Sequence, residues 1–172
     1  TVDAAGARTL FYYDGQDRKI AEVDALGTLK TWQYDGAGNA VLQRIYGDPV
    51  ALPSQSGGSP PAPINAANVR ETAYTYDRNN RLVSTTISAV TTGRFDGISY
   101  VTSPGVTTGA LYDGLGNVVR ERDGNGGFIY HYFDKLGREI AKVDQEGYLT
   151  TWQRDAEGNV LLERRFANRV AG

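Results

Sequence analysis

The chain repeats a turn signal, Asp-x-x-Gly, at a nearly constant step. Its aspartates are Asp3, Asp14, Asp24 and Asp35, then Asp113, Asp123, Asp134, Asp144 and Asp155, spaced by 10 or 11 residues within each block. Removing four turn residues leaves about six or seven, the length of an ordinary strand. A chain that reverses this often folds as an antiparallel meander. The fold class expected is therefore all-β, a meander of some ten or eleven short strands joined by hairpins. Helix content should be low, because no segment sustains apolar residues at i, i+3 and i+4.

The turn chemistry follows from the same residues. In a hairpin of this length a type I turn is followed by one residue in the left-handed region. Asp at the first position accepts bonds from N–H groups two or three residues on. Gly at the fourth position takes positive φ without a steric penalty. The pairs are Asp24 with Gly27, Asp35 with Gly38, Asp113 with Gly116, Asp123 with Gly126, Asp134 with Gly137, Asp144 with Gly147, and Asp155 with Gly158. After Asp14 and Asp77 the fourth residue is Asp17 and Asn80, the side chains that best tolerate that region after Gly. The run Asp123-Gly-Asn-Gly-Gly127 lacks the third ligand and the Glu of an EF-hand loop, so these aspartates read as turn closers. No metal or cofactor site is expected.

A longer period overlies the first. A shift of 120 residues aligns Asp3–Arg44 with Asp123–Arg164, and 19 of those 42 positions are identical. Trp32 and Trp152, the two tryptophans, share one repeat position. The segments expected are hairpins over 1–46, a Pro/Gly/Ser-rich insertion over 47–69, irregular strands with a long hairpin or loop over 70–110, hairpins over 111–166, and the start of another insertion over 167–172. Five prolines between Pro49 and Pro63 exclude a central strand from the insertion.

Composition narrows the function classes. The net charge of −2, with both signs interspersed, gives no basic stripe for nucleic acid. No apolar run approaches a membrane span. The chain has no Cys and no Met; the first excludes disulfides and thiol chemistry, and the second suggests a piece of a longer protein.

Tyr12-Tyr-Asp14, Tyr34-Asp35-Gly-Ala-Gly-Asn39, Tyr74-Thr-Tyr76-Asp77-Arg-Asn-Asn-Arg81, Tyr112-Asp113-Gly-Leu-Gly-Asn117 and Tyr132-Phe-Asp134-Lys-Leu-Gly-Arg138 resemble the YD repeats of the RHS family. The resemblance implies a β-sheet ribbon that spirals into a hollow shell. In bacterial relatives such a shell encloses a toxin polypeptide, and in animal relatives a similar barrel belongs to adhesion receptors. It implies a secreted or cell-surface structural segment. Its partners would be flanking repeats, further copies of the chain, or an enclosed toxin polypeptide. The self-cleaving core of that family has no match here, and neither does a toxin domain.

Nothing marks a catalytic centre. His131, the single histidine, stands where the first repeat has Phe11, which suits a strand-face residue. Arg18, Arg44, Arg81 and Arg138 are expected to pair with acids across strands. The binding alternative rests on Trp32, Trp152, Tyr34 and Tyr148, whose rings could stack on glycans. The opposing reading has those rings packed on neighbouring strands.

Overall fold

The computed structural model describes residues 1–2, 4, 6–53, 58–88, 90–95, 100–103 and 105–170. Asp3, Pro104 and most of the Ser54–Ser59 run lie outside the described residues. Fourteen strands follow one another: β1 (Leu10–Tyr13), β2 (Lys19–Val23), β3 (Leu29–Tyr34), β4 (Ala40–Tyr46), β5 (Val69–Tyr76), β6 (Leu82–Ile87), β7 (Val90–Phe95), β8 (Tyr100–Ser103), β9 (Val106–Tyr112), β10 (Val118–Arg122), β11 (Phe128–Phe133), β12 (Glu139–Val143), β13 (Tyr148–Arg154) and β14 (Val160–Arg169). Among the described residues there is no helix.

Twelve strands form an antiparallel meander in chain order, while β7 and β8 pair with each other as a separate hairpin. The all-β meander is thus observed, with more strands than the ten or eleven expected. Threonine-rich runs beside the irregular stretch, Ser84-Thr-Thr86 on β6 and Val106-Thr-Thr108 on β9, suit a pleated surface and enter the sheet as strands.

The chain forms two compact units, Thr1–Arg81 with Thr86–Gly105, and Leu82–Thr85 with Val106–Gly172. In the first unit Tyr12, Ala21, Val23, Leu29 and Val50 make the buried cluster, with Leu10, Ile20 and Tyr46 packed against it. Val50 arrives from the insertion. Its N–H donates to Gly27 O at 2.8 Å, and Gly47 N–H donates to Asn68 O at 2.9 Å to close the neck of the excursion. In the second unit the 120-residue counterpart recurs, with Val170 N–H on Gly147 O at 2.9 Å. That face is more open there: Tyr12 is 8% exposed and Tyr132 51%, and Val50 is 6% exposed and Val170 42%.

Alternate turns lie at opposite ends of the strands, and the two ends differ. Hairpins closed at Asp14, Asp35, Asp113, Asp134 and Asp155 each carry a register shift six residues after the Asp. The ladder passes from Tyr12↔Ala21 to Tyr13↔Lys19 and leaves Ile20 unmatched. Val41, Val119, Ile140 and Leu161 are skipped in the same way. Hairpins closed at Asp24, Asp123 and Asp144 keep an even register. A bulge of this kind bends its strand and raises the local twist. It also turns side chains, since Ile20 and Ala21 are consecutive yet both meet the buried cluster.

Candidate functional site

Each described turn is built the same way. Asp14 N–H donates to Arg18 O at 2.9 Å, and Asp17 N–H donates to Asp14 O at 3.1 Å, which closes the type I turn and its bulge. Asp14 Oδ1 accepts from Gln16 N–H at 2.9 Å and Arg18 N–H at 3.0 Å. The side chain therefore reaches the residue four on, not three on, because the third N–H is already donating to the main-chain oxygen of the Asp. Asp24, Asp35, Asp77, Asp113, Asp123 and Asp134 repeat both bonds. Asp144 and Asp155 accept from the fifth residues Tyr148 and Asn159. The fourth positions Gly27, Gly38, Gly116, Gly126, Gly137, Gly147 and Gly158 have φ of 73–95°. Asp17 and Asn80, both at 58°, are the non-glycine residues of positive φ among those described.

The end that carries the bulges adds a side-chain lock. There the fifth residue is Arg or Asn and donates to the second Asp oxygen. Arg18, Arg81 and Arg138 do so from Nε at 2.7 Å, and Asn39, Asn117 and Asn159 do so at 2.8–3.0 Å. These arginines thus pair inside their own turns, whereas the sequence reading has them paired across strands. The fifth position sets the guanidinium beside the carboxylate. Of the four arginines named, Arg44 is the one whose ion pair crosses between strands, from β4 to Glu71 on β5.

Three of the tyrosines that directly precede an Asp share a task. Tyr34 donates its hydroxyl to Lys19 O at 2.8 Å, Tyr76 to Ala40 O at 3.1 Å and Tyr112 to Leu82 O at 3.0 Å. Each acceptor lies five residues after the preceding Asp of the same end. In the second repeat Arg154 replaces Tyr34, and its Nε makes the equivalent bond to Glu139 O at 3.0 Å. Neighbouring turns at this end also bond directly, Arg138 to Asp155 O at 3.0 Å and Asn39 to Asn80 Oδ1 at 2.9 Å.

The locks act on charge. The Asn39, Asn117 and Asn159 amides hold Asp35, Asp113 and Asp155 below the ordinary aspartate value, helped by backbone N–H groups. The Arg18 side chain does the same for Asp14, and the Arg81 and Arg138 backbone N–H groups lead at Asp77 and Asp134. At Asp24 burial pushes upward, and the Thr28 N–H and side chain together with the Leu26 N–H outweigh it.

Of the four aromatic candidates, three carry a cation over the ring. Lys19 Nζ sits 4.2 Å from the Trp32 centroid, the Arg18 guanidinium 4.9 Å from Tyr34, and the Arg169 guanidinium 5.5 Å from Tyr148. Lys19 is held in turn by Glu22 at 2.8 Å, which Lys30 also reaches at 3.2 Å. Trp152 differs: its Nε1–H donates to Glu163 Oε2 at 3.1 Å, and with Tyr148 it lines an open groove of about 590 Å³. Trp32 and Tyr34 share β3, and Trp152 and Tyr148 share β13.

One contact was not foreseen. His131 Nδ1 lies 2.6 Å from Glu139 Oε1, its Nε2 has no hydrogen-bond partner, and Glu121 Oε2 stands 3.9 Å from Nε2. The aligned repeat held the signal, because Phe11 and Lys19 change together to His131 and Glu139. Lys19 also stands over Phe11, at 5.6 Å. Among the described residues no three His, Asp or Glu side chains gather to hold a metal.

No family model matches the chain, and no curated protein matches it. Solved structures do. The crystal structure of TcdB2–TccC3 is 17% identical over 88% of this chain and 11% of that chain, with a TM-score of 0.42. The TcdB2–TccC3–Cdc42 structure is 17% identical over 95% of this chain and 9% of that one, with a TM-score of 0.40. The Photorhabdus luminescens Tc holotoxin pore with a TccC3 mutation is 12% identical over 96% and 11%, with a TM-score of 0.34. The chain spans 9–11% of the length of these structures.

Proposed function

We propose that the chain is a non-catalytic wall segment of a longer RHS-type YD-repeat ribbon. The ribbon would be secreted or displayed at the cell surface, and it would enclose or display another polypeptide of the toxin-delivery kind. The observation that carries this reading is the contrast between β4 and β14, which occupy one repeat position. Strand β4 is paired on both sides, by β3 and β5. Strand β14 is paired by β13, all ten of its residues are exposed, and Arg164 lacks the ion pair that Arg44 makes with Glu71.

A long edge strand with Leu161 and Phe166 exposed is a template for another strand. In repeat architectures, stability comes from each unit plus its contact with the next. The aromatic rings support the same reading, since Trp32, Tyr34 and Tyr148 are already stacked with basic side chains of their own chain.

The test is the oligomeric state. The 172-residue chain should self-associate, as light scattering would report. Replacing residues 167–172 by a second copy of residues 47–81 supplies a β5-type strand, and association through β14 should then fall. Glu71→Arg in that added copy should restore it. A strictly monomeric chain whose β14 amides resist exchange as well as those of β4 would refute the proposal.

A further inference from the structure

We propose that Asn125 is a site of spontaneous covalent modification: its side chain closes on the main chain, loses ammonia and leaves an isoaspartate that opens the β10–β11 turn. The chemistry starts from the sequence. An asparagine amide is open to attack by the main-chain nitrogen of the next residue, and the attack is least obstructed where that residue has no side chain. Of the nine asparagines in the chain, Asn125 is the one followed by glycine. Asn39, Asn117 and Asn159, at the fifth position of their turns, precede Ala40, Val118 and Val160.

The structure separates Asn125 from those three in a second way. The side chains of Asn39, Asn117 and Asn159 donate to Oδ2 of their own Asp at 2.8–3.0 Å. An amide held so cannot swing onto the following nitrogen without giving up that bond. Asn125 stands third in its turn, exposed, and its side chain makes no hydrogen bond among the described residues. Only its main-chain N–H is held, by Asp123 Oδ1 at 3.0 Å.

The attacking nitrogen, Gly126 N, donates to Asp123 O at 3.1 Å, so the reaction passes through a momentary opening of the turn. Little resists that opening. Asp123 accepts from main-chain N–H groups alone, because its fifth residue is Gly127, which has no side chain to lock it. Gly124, Gly126 and Gly127 add backbone freedom to the open form. An exposed turn tip is also where local opening costs least.

Gly126 N gives its proton to solvent and bonds to Asn125 Cγ. The bond from Cγ to the side-chain nitrogen breaks, and that nitrogen takes up a proton and leaves as ammonia. The five-membered succinimide then takes up one water. Opening at one carbonyl yields aspartate; opening at the other yields isoaspartate, in which the chain runs through the side-chain carbon. One water enters and one ammonia leaves, with no oxidation. Isoaspartate lengthens the main chain by one carbon inside a four-residue turn. The bonds from Gly126 N–H to Asp123 O and from Gly127 N–H to Asp123 Oδ1, at 2.7 Å, then cannot both be kept. Arg122↔Phe128 is the first ladder pair beyond the turn, so the hairpin frays from there.

The test keeps the whole chain at mildly alkaline pH and body temperature and digests timed samples with trypsin. The peptides Asp123–Lys135, Thr31–Arg44 and Asp155–Arg164 carry Asn125, Asn39 and Asn159, one apiece. The first should change in mass from amide to acid well before the others. Isoaspartate should be its main product, read with a protein isoaspartyl methyltransferase. Asn125→Ala, which installs the residue that the first repeat has at Ala5, should lose the reaction. Gly126→Asp should slow it severalfold while keeping a residue that the Asp14 turn accepts there, as Asp17 at φ 58°. Amide exchange at Gly126, Gly127 and Phe128 should quicken in converted chains.

The proposal is overturned if Asn125 does not convert, if Asn39 or Asn159 converts equally fast, or if Gly126→Asp leaves the rate unchanged. Aspartate as the sole product, or unchanged exchange in converted chains, overturns the opening of the turn.

Discussion

Gly27 and Gly147 occupy the same repeat position, yet alanine should cost far more at the first. Both have positive φ, +85° and +89°, so either substitution places an L side chain in the left-handed region. That alone costs about 1–2 kcal/mol. At Gly147 the added Cβ meets Arg169 Cβ at 3.6 Å, an ordinary contact. At Gly27 it would stand 2.5 Å from Val50 O and 3.1 Å from Pro49 Cβ, which is backbone and ring and not a flexible tip. Val50 must then move, giving up burial worth about 1.5–3 kcal/mol and a hydrogen bond worth about 0.5–1.5 kcal/mol.

Gly27→Ala is therefore expected to destabilise its unit by about 3–6 kcal/mol and Gly147→Ala by about 1–2 kcal/mol. The tryptophans provide the assay. Trp152→Phe leaves Trp32 to report the first unit in urea, and Trp32→Phe leaves Trp152 to report the second. With a slope of about 2 kcal/mol per molar urea, the midpoint shifts should differ by about 1–2 M. Equal shifts would refute the claim that the returning insertion packs on the Gly27 turn.

Two further outcomes follow from the turns. Tyr34→Phe leaves Lys19 O without its donor and should cost about 0.5–1.5 kcal/mol in the urea midpoint read at Trp32; Arg154→Tyr, which restores the residue of the other repeat, should be nearly neutral at Trp152. Acid should unfold the chain, because Asp14, Asp35, Asp77, Asp113, Asp134 and Asp155 are all held below the ordinary value of 3.8. A carboxylate whose folded value is depressed stabilises the fold above its unfolded value and loses that contribution as pH falls through the folded one. Loss of the β-sheet circular dichroism signal should therefore begin below about pH 4, and undiminished stability at about pH 2 would contradict the turn role.

The meander could be read from the Asp-x-x-Gly period because each turn is a local event, closed within five residues. The left-handed positions at Asp17 and Asn80 could be read for the same reason. What sequence could not supply was the bulge. Counting alternate residues back from buried Ala21 places Lys19 on the core face, whereas the skipped Ile20 sends it to Trp32. The cover on Trp32, the His131–Glu139 contact and the open groove at Trp152 all depend on that one displaced residue in each repeat. The arginine locks were missed for a related reason: spacing shows which turn an Arg18 or Arg138 follows, but not that its side chain folds back into it.

The two ends of the strands also differ in how much new sequence they can accept. At the end of Asp14, Asp35 and Asp134, turns are locked by side chains and tied to their neighbours, so an inserted segment would break several bonds at once. At the opposite end the turns of Asp123 and Asp144 are met at the fifth residue by the main-chain N–H of Gly127 and Tyr148 without such a side-chain lock, Thr28 adds its side chain at Asp24, and there the chain already carries a long excursion, between Gly47 and Asn68. Peptide tags, protease sites or whole domains are best spliced into the Asp123 turn of that second end, and not at Asp24, whose Gly27 carries the returning Val50. Natural length variation among chains of this design should gather there too.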